Sequence, residues 1–167
     1  MTGRATRTYL EMRDPARLRP AAPVAGLTLQ IEVPCPPERY RALYHGVGAA
    51  YHWVDRAAWS DDDIRAHLAQ PGVEVWTAHL EDRLAGYFEL RTWPDGSVEV
   101  AYFGLLPGFI GRGVGGALLT ETLRTAWQRQ PTRVWLHTSS LDHPAALANY
   151  RARGLDVTHV ETYDVEA

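Results

Sequence analysis

Short runs in which hydrophobic and polar residues alternate recur along this chain, and such alternation is typical of half-buried β-strands. Three of the runs follow one another across short connections, one of which contains the turn sequence Trp93-Pro94-Asp95-Gly96. Short connections between neighbouring strands predict an antiparallel meander. The runs that predict strands cover residues 27–33, 73–80, 84–91, 97–105, 133–138 and 155–165.

Helical patterns separate these strands at four places. The first begins at Pro37 and places its apolar residues on one face. The second begins at Ser60, where Ser60 and Asp63 have the spacing of a capping box. The third follows a glycine-dense loop, and the fourth runs from Pro144 to Gly154. The predicted order is β-α-α-β-β-β-α-β-α-β, an α/β domain with a mixed, mostly antiparallel sheet and helices on both faces.

Residues 1–26 lack this periodicity and are rich in Arg, Pro and small residues. Such composition predicts a mobile N-terminal arm. The remaining residues 27–167 have the length of one domain with its own core. The sequence therefore predicts an arm followed by a single domain.

Composition excludes several classes of function. The formal charge of −3 gives no electrostatic case for binding nucleic acid, and no apolar run approaches the length of a membrane span. The single Cys35 excludes a disulfide framework, and the seven histidines lack metal-ligand spacing, so no metal is predicted. Because no apolar segment follows the N-terminus, we expect a cytoplasmic protein without a membrane association.

The segment Gly111–Gly116 is the most informative part of the sequence, since four of its six residues are glycine. Glycines let the backbone approach an anion, and the helix that follows offers free N–H groups and a positive dipole end. A tight strand-to-helix turn is the alternative explanation. The literal match to G-x-G-x-x-G lacks the acidic residue that a dinucleotide site needs about 20 positions later, and the loop contains no Lys for a P-loop.

The loop and its surroundings resemble the GNAT superfamily of acyl-CoA-dependent N-acyltransferases. The superfamily motif Gln/Arg-x-x-Gly-x-Gly/Ala begins the helix after the fourth strand, and here the corresponding residues are Ile110 to Gly115, with Ile110 in place of Gln or Arg. The segments 102–107 and 141–155 extend the resemblance. The resemblance implies the GNAT-like fold, acetyl-CoA as the cosubstrate and no metal.

The resemblance also implies roles for individual residues. Pantetheine would bond to the backbone at the end of the fourth strand, where the Leu105 amide would act as the oxyanion donor. Tyr150 matches the tyrosine that protonates the leaving thiolate, although a core aromatic is the alternative interpretation. The residues implied to bind acetyl-CoA are Phe103, Gly104, Leu105, Ile110, Gly111, Arg112, Gly113, Val114, Gly115, Gly116 and Asn149.

The acceptor side is defined by acidic and aromatic residues. Glu99 has the spacing at which some relatives carry a general base, and simple alternation predicts that it shares a face with Ala101 and Phe103. A solvated edge glutamate is the alternative. Glu89 is a second acidic candidate, and Trp53 with Asp55 lies where relatives form the acceptor pocket. A loop packed over the sheet is the alternative interpretation of the Trp53–Asp55 segment. These acids predict a cationic or zwitterionic amine as acceptor.

The predicted function is therefore the transfer of an acetyl group from acetyl-CoA to a primary amine of a small molecule by direct attack on the thioester. Two alternatives stay open: acetylation of a protein lysine or N-terminus, and a catalytically silent acyl-CoA-binding module. An exposed final strand allows a homodimer.

Overall fold

The computed structural model describes residues 3–165, which contain seven β-strands and four α-helices. The strands are β1 (Gly3–Met12), β2 (Leu27–Ile31), β3 (Val73–Leu80), β4 (Arg83–Thr92), β5 (Val98–Leu105), β6 (Val134–Ser139) and β7 (Asp156–Val165). The helices are α1 (Pro37–Gly48), α2 (Asp61–Leu68), α3 (Val114–Trp127) and α4 (Ala146–Ala152). Single turns of 3₁₀-helix lie at 15–17, 49–51 and 107–109.

The described strands form one sheet in the order β2-β3-β4-β5-β6-β1-β7. Within it β5 and β6 are parallel, and the other neighbouring strands are antiparallel. Helices α1 and α2 pack on one face of β3, β4 and β5, where Tyr40, Leu43 and Ile64 contact Tyr87 and its neighbours. Helices α3 and α4 pack on the other face over the larger core. This arrangement confirms the predicted fold class; we call the two sides the α1 face and the α3 face.

The N-terminal segment differs from the prediction, because residues 3–12 form β1 between β6 and β7. Leu10 and Met12 are buried in the main core, and Tyr9 is paired with His137 on one side and His159 on the other. The chain then crosses the α3 face, where the Ala21 amide donates to Thr120 Oγ1 at 3.0 Å. The prediction of a mobile arm is therefore wrong for residues 3–26, and residues 1–2 lie outside the described part. Pairing partners more than 120 positions away leave no local signal in the sequence.

The local helix predictions are confirmed. The apolar residues of α1 are buried on one side, and the capping box forms at the start of α2. The Asp63 amide donates to Ser60 Oγ at 3.1 Å, and the Ser60 amide donates to Asp63 Oδ2 at 2.9 Å. The sequence predicts these features because helical periodicity and capping depend on residues only three or four positions apart.

A β-bulge at Ala101 changes the faces of β5. Leu90 of β4 is paired with Val100, but the preceding residue Glu89 is paired with Tyr102, so Ala101 is an extra residue. Val100 and Phe103 consequently face the α3 side, whereas Tyr102 packs on the α1 side. The predicted face shared by Glu99, Ala101 and Phe103 is wrong, because a bulge interrupts strict alternation.

The parallel pair β5–β6 is short. It contains only Val98↔Val134 and Glu99↔Trp135, after which the two strands diverge. The rest of β5 therefore has no strand on this side, and its backbone borders an open gap in the middle of the described sheet.

Candidate active site

A cleft of about 890 Å³ opens where β5 and β6 diverge. One wall consists of β5 from Glu99 to Leu105 and continues to the glycine loop. Segment 51–56, between α1 and α2, lines the α1 side, and α4 contributes Tyr150. The cleft is thus lined by residues from both faces of the sheet.

The free edge of β5 offers backbone hydrogen-bonding groups to the cleft. The Leu106 amide donates to the Ala85 carbonyl at 2.8 Å, and so points toward β4. Because amide directions alternate along a strand, the Leu105 and Phe103 amides point the other way, into the gap. The Leu105 amide, the predicted oxyanion donor, therefore points into the cleft. Gly104 packs against Val47 of α1, which leaves no room for a Cβ.

The glycine loop turns the chain from β5 into α3 and forms one end of the cleft. Gly111 and Gly113 have φ values of +80° and +76°, a conformation that glycine adopts without strain. Gly113 is the N-cap of α3, and a Cβ on either glycine would meet no atom within 4 Å. The loop thus presents open space in front of the unpaired N–H groups of a helix N-terminus, a geometry that fits a phosphate group.

The structure distinguishes among the residues implied to bind acetyl-CoA. Nine of the eleven line the cleft: Phe103, Gly104, Leu105, Ile110, Gly111, Gly113, Gly115, Gly116 and Asn149. Asn149 also ties α4 to α3, since its Nδ2 donates to the Gly115 carbonyl at 3.2 Å. The other two do not line the cleft. Arg112 is exposed and lies over the Phe109 ring, and Val114 is buried in the core.

Tyr150 lies on the α3 side of the gap. It is 7% exposed and packs edge-on against Phe103 with the ring centroids 6.1 Å apart. Burial raises the pKa of its hydroxyl above the ordinary value, with the Asp142 charge acting in the same direction. Tyr150 is therefore protonated at neutral pH and can donate a proton into the cleft.

Glu99 lies at the opposite side of the gap, where β5 and β6 separate. Its side chain is on the α1 face, because it is paired with Arg91 of β4 on that face, and the residue is 9% exposed. The Trp93 indole donates to Glu99 Oε1 at 3.0 Å. Burial raises the pKa of this carboxyl, and the negative charge of Glu89 adds to the effect. A carboxylate of raised pKa is a better proton acceptor than an ordinary one.

The acceptor residues Trp53 and Asp55 both line the cleft. Trp53 lies against Gly48 and close to Tyr102, with ring centroids 4.9 Å apart, and its indole donates to Asp142 Oδ1 at 3.3 Å. Asp55 is exposed at the mouth. Both residues are therefore placed to contact a bound molecule.

Glu89 is not placed there, and its predicted contact with the acceptor is wrong. It is 0% exposed, accepts from Tyr40 Oη at 2.7 Å and from Arg56 Nη1 at 2.7 Å, and lies 3.0 Å from His67 Nε2. Burial alone would raise its pKa, but the hydrogen bond from His67 and the charge of Arg56 outweigh burial and hold it below the ordinary value. Glu89 instead anchors the segment that carries Arg56.

The sequence analysis did not predict several residues that line the cleft. Arg56 lies over the rings of Tyr102 and Trp59, 4.5 Å and 4.8 Å from their centroids. The other missed residues that line the cleft include Arg7, Arg91, Trp93 and His137. They come from β1, β4 with its following turn, and β6, so no sequence spacing brings them together.

Among residues 3–165, no group of three or more His, Cys, Asp or Glu side chains is arranged to hold a metal ion. No helix in the same range is both long enough and apolar enough to cross a membrane.

The model of the acetyltransferase (GNAT) family matches residues 35–155, which span the α1 helix, the glycine loop and the Tyr150 helix. This match covers most of the chain, and the protein therefore belongs to that family.

The relatives found by sequence agree with this assignment, and a solved structure has the same fold. An uncharacterized N-acetyltransferase of Mycobacterium tuberculosis is 31% identical over 101 residues, covering 60% of this chain and 64% of that protein. A mycothiol acetyltransferase of Thermomonospora curvata is 28% identical over 145 residues, covering 83% of this chain and 48% of that protein. The match thus spans less than two thirds of either relative. The crystal structure of a GCN5-related N-acetyltransferase from Sphaerobacter thermophilus has a TM-score of 0.71 at 17% identity, with 96% of this chain and 51% of that chain covered.

Proposed function

We propose that this protein transfers an acetyl group from acetyl-CoA to the primary amine of a small molecule, by direct attack of the amine on the thioester. The observation that carries the proposal is the gap between β5 and β6, with the glycine loop at one end, the free edge of β5 along one wall and Tyr150 opposite. One relative is named a mycothiol acetyltransferase, a name that refers to a small molecule, and this supports a small-molecule acceptor.

Acetyl-CoA supplies an activated acyl group. The residues of the cleft would bind acetyl-CoA, stabilise the negative charge that develops on the thioester oxygen, and transfer protons. The N-terminus of α3 and the glycine loop would hold the pyrophosphate. The Leu105 amide would donate a hydrogen bond to the thioester carbonyl oxygen, which becomes more negative as the amine attacks. No metal is needed for this set of contacts.

The two proton-transfer residues lie on opposite faces of the sheet. Glu99, on the α1 face and six residues before Leu105 on β5, would accept the proton of the attacking amine through intervening water. Tyr150, on the α3 face, would donate a proton to the leaving sulfur. The new bond forms between the amine nitrogen and the acyl carbon while the carbon–sulfur bond breaks, so the products are the acetylated amine and CoA with a free thiol.

Binding of acetyl-CoA and its turnover test the two halves of the proposal. Acetyl-CoA should raise the melting temperature and give calorimetric heat, because a ligand that binds only the folded state stabilises it. Gly113→Val should remove both effects, since a branched residue is strained at φ +76° and its side chain would fill the open space of the loop. Gly108→Val is the matched control, because a Cβ there also meets nothing within 4 Å but lies outside the cleft.

Turnover should depend on Tyr150. With a panel of small amines, thiol release should fall by about 10²–10⁴-fold in Tyr150→Phe while acetyl-CoA affinity stays within about twofold, because only the proton donor is removed. Unchanged kcat would make Tyr150 a core aromatic. Tight acetyl-CoA binding with no turnover of any small amine would favour a protein acceptor or a silent binding module.

A further inference from the structure

Three arginine side chains line the cleft, and two of them are neutralised by carboxylates. Arg7 Nη1 lies 2.9 Å from Glu161, and Arg56 Nη1 lies 2.7 Å from Glu89. Arg91 differs from both, because no carboxylate of residues 3–165 lies within 4.0 Å of its guanidinium nitrogens. A half-buried guanidinium at the wall of a cleft is costly without an anionic partner, and a bound anion would supply one.

Trp93 contacts both Arg91 and the proposed base Glu99. Its guanidinium lies 3.9 Å from the centroid of the Trp93 ring, and the indole N–H of Trp93 donates to Glu99. Arg91 and Glu99 are also directly opposite each other on β4 and β5. Stacking on an aromatic face fixes the plane of a guanidinium and leaves its edge donors available for a carboxylate.

Arg91 is too far from the glycine loop to serve the phosphates of acetyl-CoA. Its partner Glu99 lies where β5 and β6 separate, whereas the glycine loop follows Leu105 at the other end of β5. Arg91 instead lies opposite Glu99, the residue proposed to accept the proton of the amine. Any anion that it binds therefore belongs to the acceptor.

We propose that Arg91 binds a carboxylate of the acceptor, and that the acceptor is a zwitterion that carries both an amine and a carboxylate. This inference rests on the proposed function and narrows it, because it selects the zwitterionic class over simple cations. Arg91 would set specificity by a bidentate pair with the carboxylate, while Glu99 faces the amine.

Pairs of amines that differ only in the anionic group test the proposal. Glycine, β-alanine and 4-aminobutyrate are compared with their carboxamides, and 2-aminoethylphosphonate represents another anion. In the wild type, kcat/KM for the best carboxylate should exceed that of its amide by about 10–100-fold, the value of a charge-assisted hydrogen bond. Arg91→Gln should reduce this ratio to about one, mainly through KM, and Arg91→Lys should restore only part of it.

Arg83→Gln is the control, because Arg83 is an exposed arginine of the same strand that lies over Phe109 and outside the cleft. It should keep the wild-type ratio. Equal use of carboxylates and amides by the wild type would overturn the proposal, as would an Arg91→Gln variant that slows both series equally. A preference for the phosphonate over every carboxylate would overturn the choice of anion.

Calorimetry in the presence of CoA separates this inference from the proposed function. Binding of the amino acid but not its amide, lost in Arg91→Gln, supports the anion site even if no amine is acetylated. Turnover of the amides without any such preference supports the proposed function and rejects the role of Arg91.

Discussion

At the scale of single residues, the proposed proton transfer depends on burial more than on sequence position. Spacing along the sequence predicted roles for both Glu99, six residues before Leu105, and Tyr150, four residues before Gly154. Both residues line the cleft. Their environments then set their protonation. Burial raises the pKa of each, so Tyr150 stays protonated as a donor and Glu99 becomes a stronger base than an exposed glutamate.

The role of Glu99 is tested by the pH dependence of kcat/KM. Because the folded protein raises its pKa, Glu99 gains a proton at a higher pH than an ordinary glutamate, and activity should decline as the pH falls through that raised value. Glu99→Gln should lower kcat/KM by about 10²–10⁴-fold above this range and lose the corresponding acidic limb. The same amine is used for both enzymes, so that its own titration is common to the two profiles.

Glu121→Gln serves as the comparison, because Glu121 is a half-buried acid of α3 that lies outside the cleft. Its pH profile should match that of the wild type. An acidic limb that survives in Glu99→Gln would show that the amine proton leaves by another route.

Glu99 also shows why sequence spacing was only partly sufficient. The spacing between Glu99 and Leu105 predicted a position that does line the cleft. Strict alternation predicted that Glu99 shares a face with Ala101 and Phe103, and this prediction was wrong. The bulge at Ala101 depends on how β4 pairs with β5 and is not encoded in the alternation of β5 alone.

At the scale of elements, the buried network around Glu89 connects α1, α2 and the segment between them to β4. Tyr40 belongs to α1, His67 to α2 and Arg56 to the connecting segment, and all three contact the same carboxylate. The ionised form of Glu89 is therefore expected to stabilise the fold and also the position of segment 51–56, which lines the cleft. A buried charge is tolerated in a folded protein while its charged and hydrogen-bonding partners are present. Removing one partner lowers stability, because the remaining charge is then buried without compensation.

Removing this carboxylate should destabilise the protein in a pH-dependent way. Glu89→Gln should lower the free energy of unfolding at pH 7 by about 3–5 kcal/mol, because Arg56 would stay buried without its partner. Since the folded pKa of Glu89 is below its ordinary value of 4.5, the stabilisation is present above pH 4.5 and is lost as the pH falls through the lower folded value. Urea unfolding should therefore show the two curves converging in acid.

Asp62→Asn on α2 is the control, because its pair with Arg65 is exposed and should contribute about 1 kcal/mol or less. A Glu89→Gln variant with wild-type stability at pH 7 would contradict the proposed role of the network.

At the scale of the whole molecule, β1 is the strand on which the second half of the sheet depends. It joins β6 to β7, and β7 has no other strand partner in the described sheet. A chain that begins at residue 13 should therefore lose β7 from the sheet and expose the core beneath Leu10 and Met12. Circular dichroism should show no cooperative melting transition for this truncation.

Arg4→Ala is the control for the truncation, because Arg4 makes only an exposed ion pair with Asp164 and should leave the melting temperature within about 1–2 °C. A truncated chain that melts at the wild-type temperature would show that the N-terminal strand is dispensable.

The sequence by itself determined the features that depend on near neighbours. Periodicity located the helices and six of the seven strands, the Ser60–Asp63 capping box located the start of α2, and the glycine loop located the start of α3. The tertiary structure alone decided where β1 pairs, which way Glu99 faces, that Glu89 is buried against Arg56, and that Arg91 and Trp93 lie beside Glu99. The physical reason is that strand pairing, bulges and buried ion pairs are chosen by contacts between distant segments, and the free energy of those contacts is not written in any local pattern.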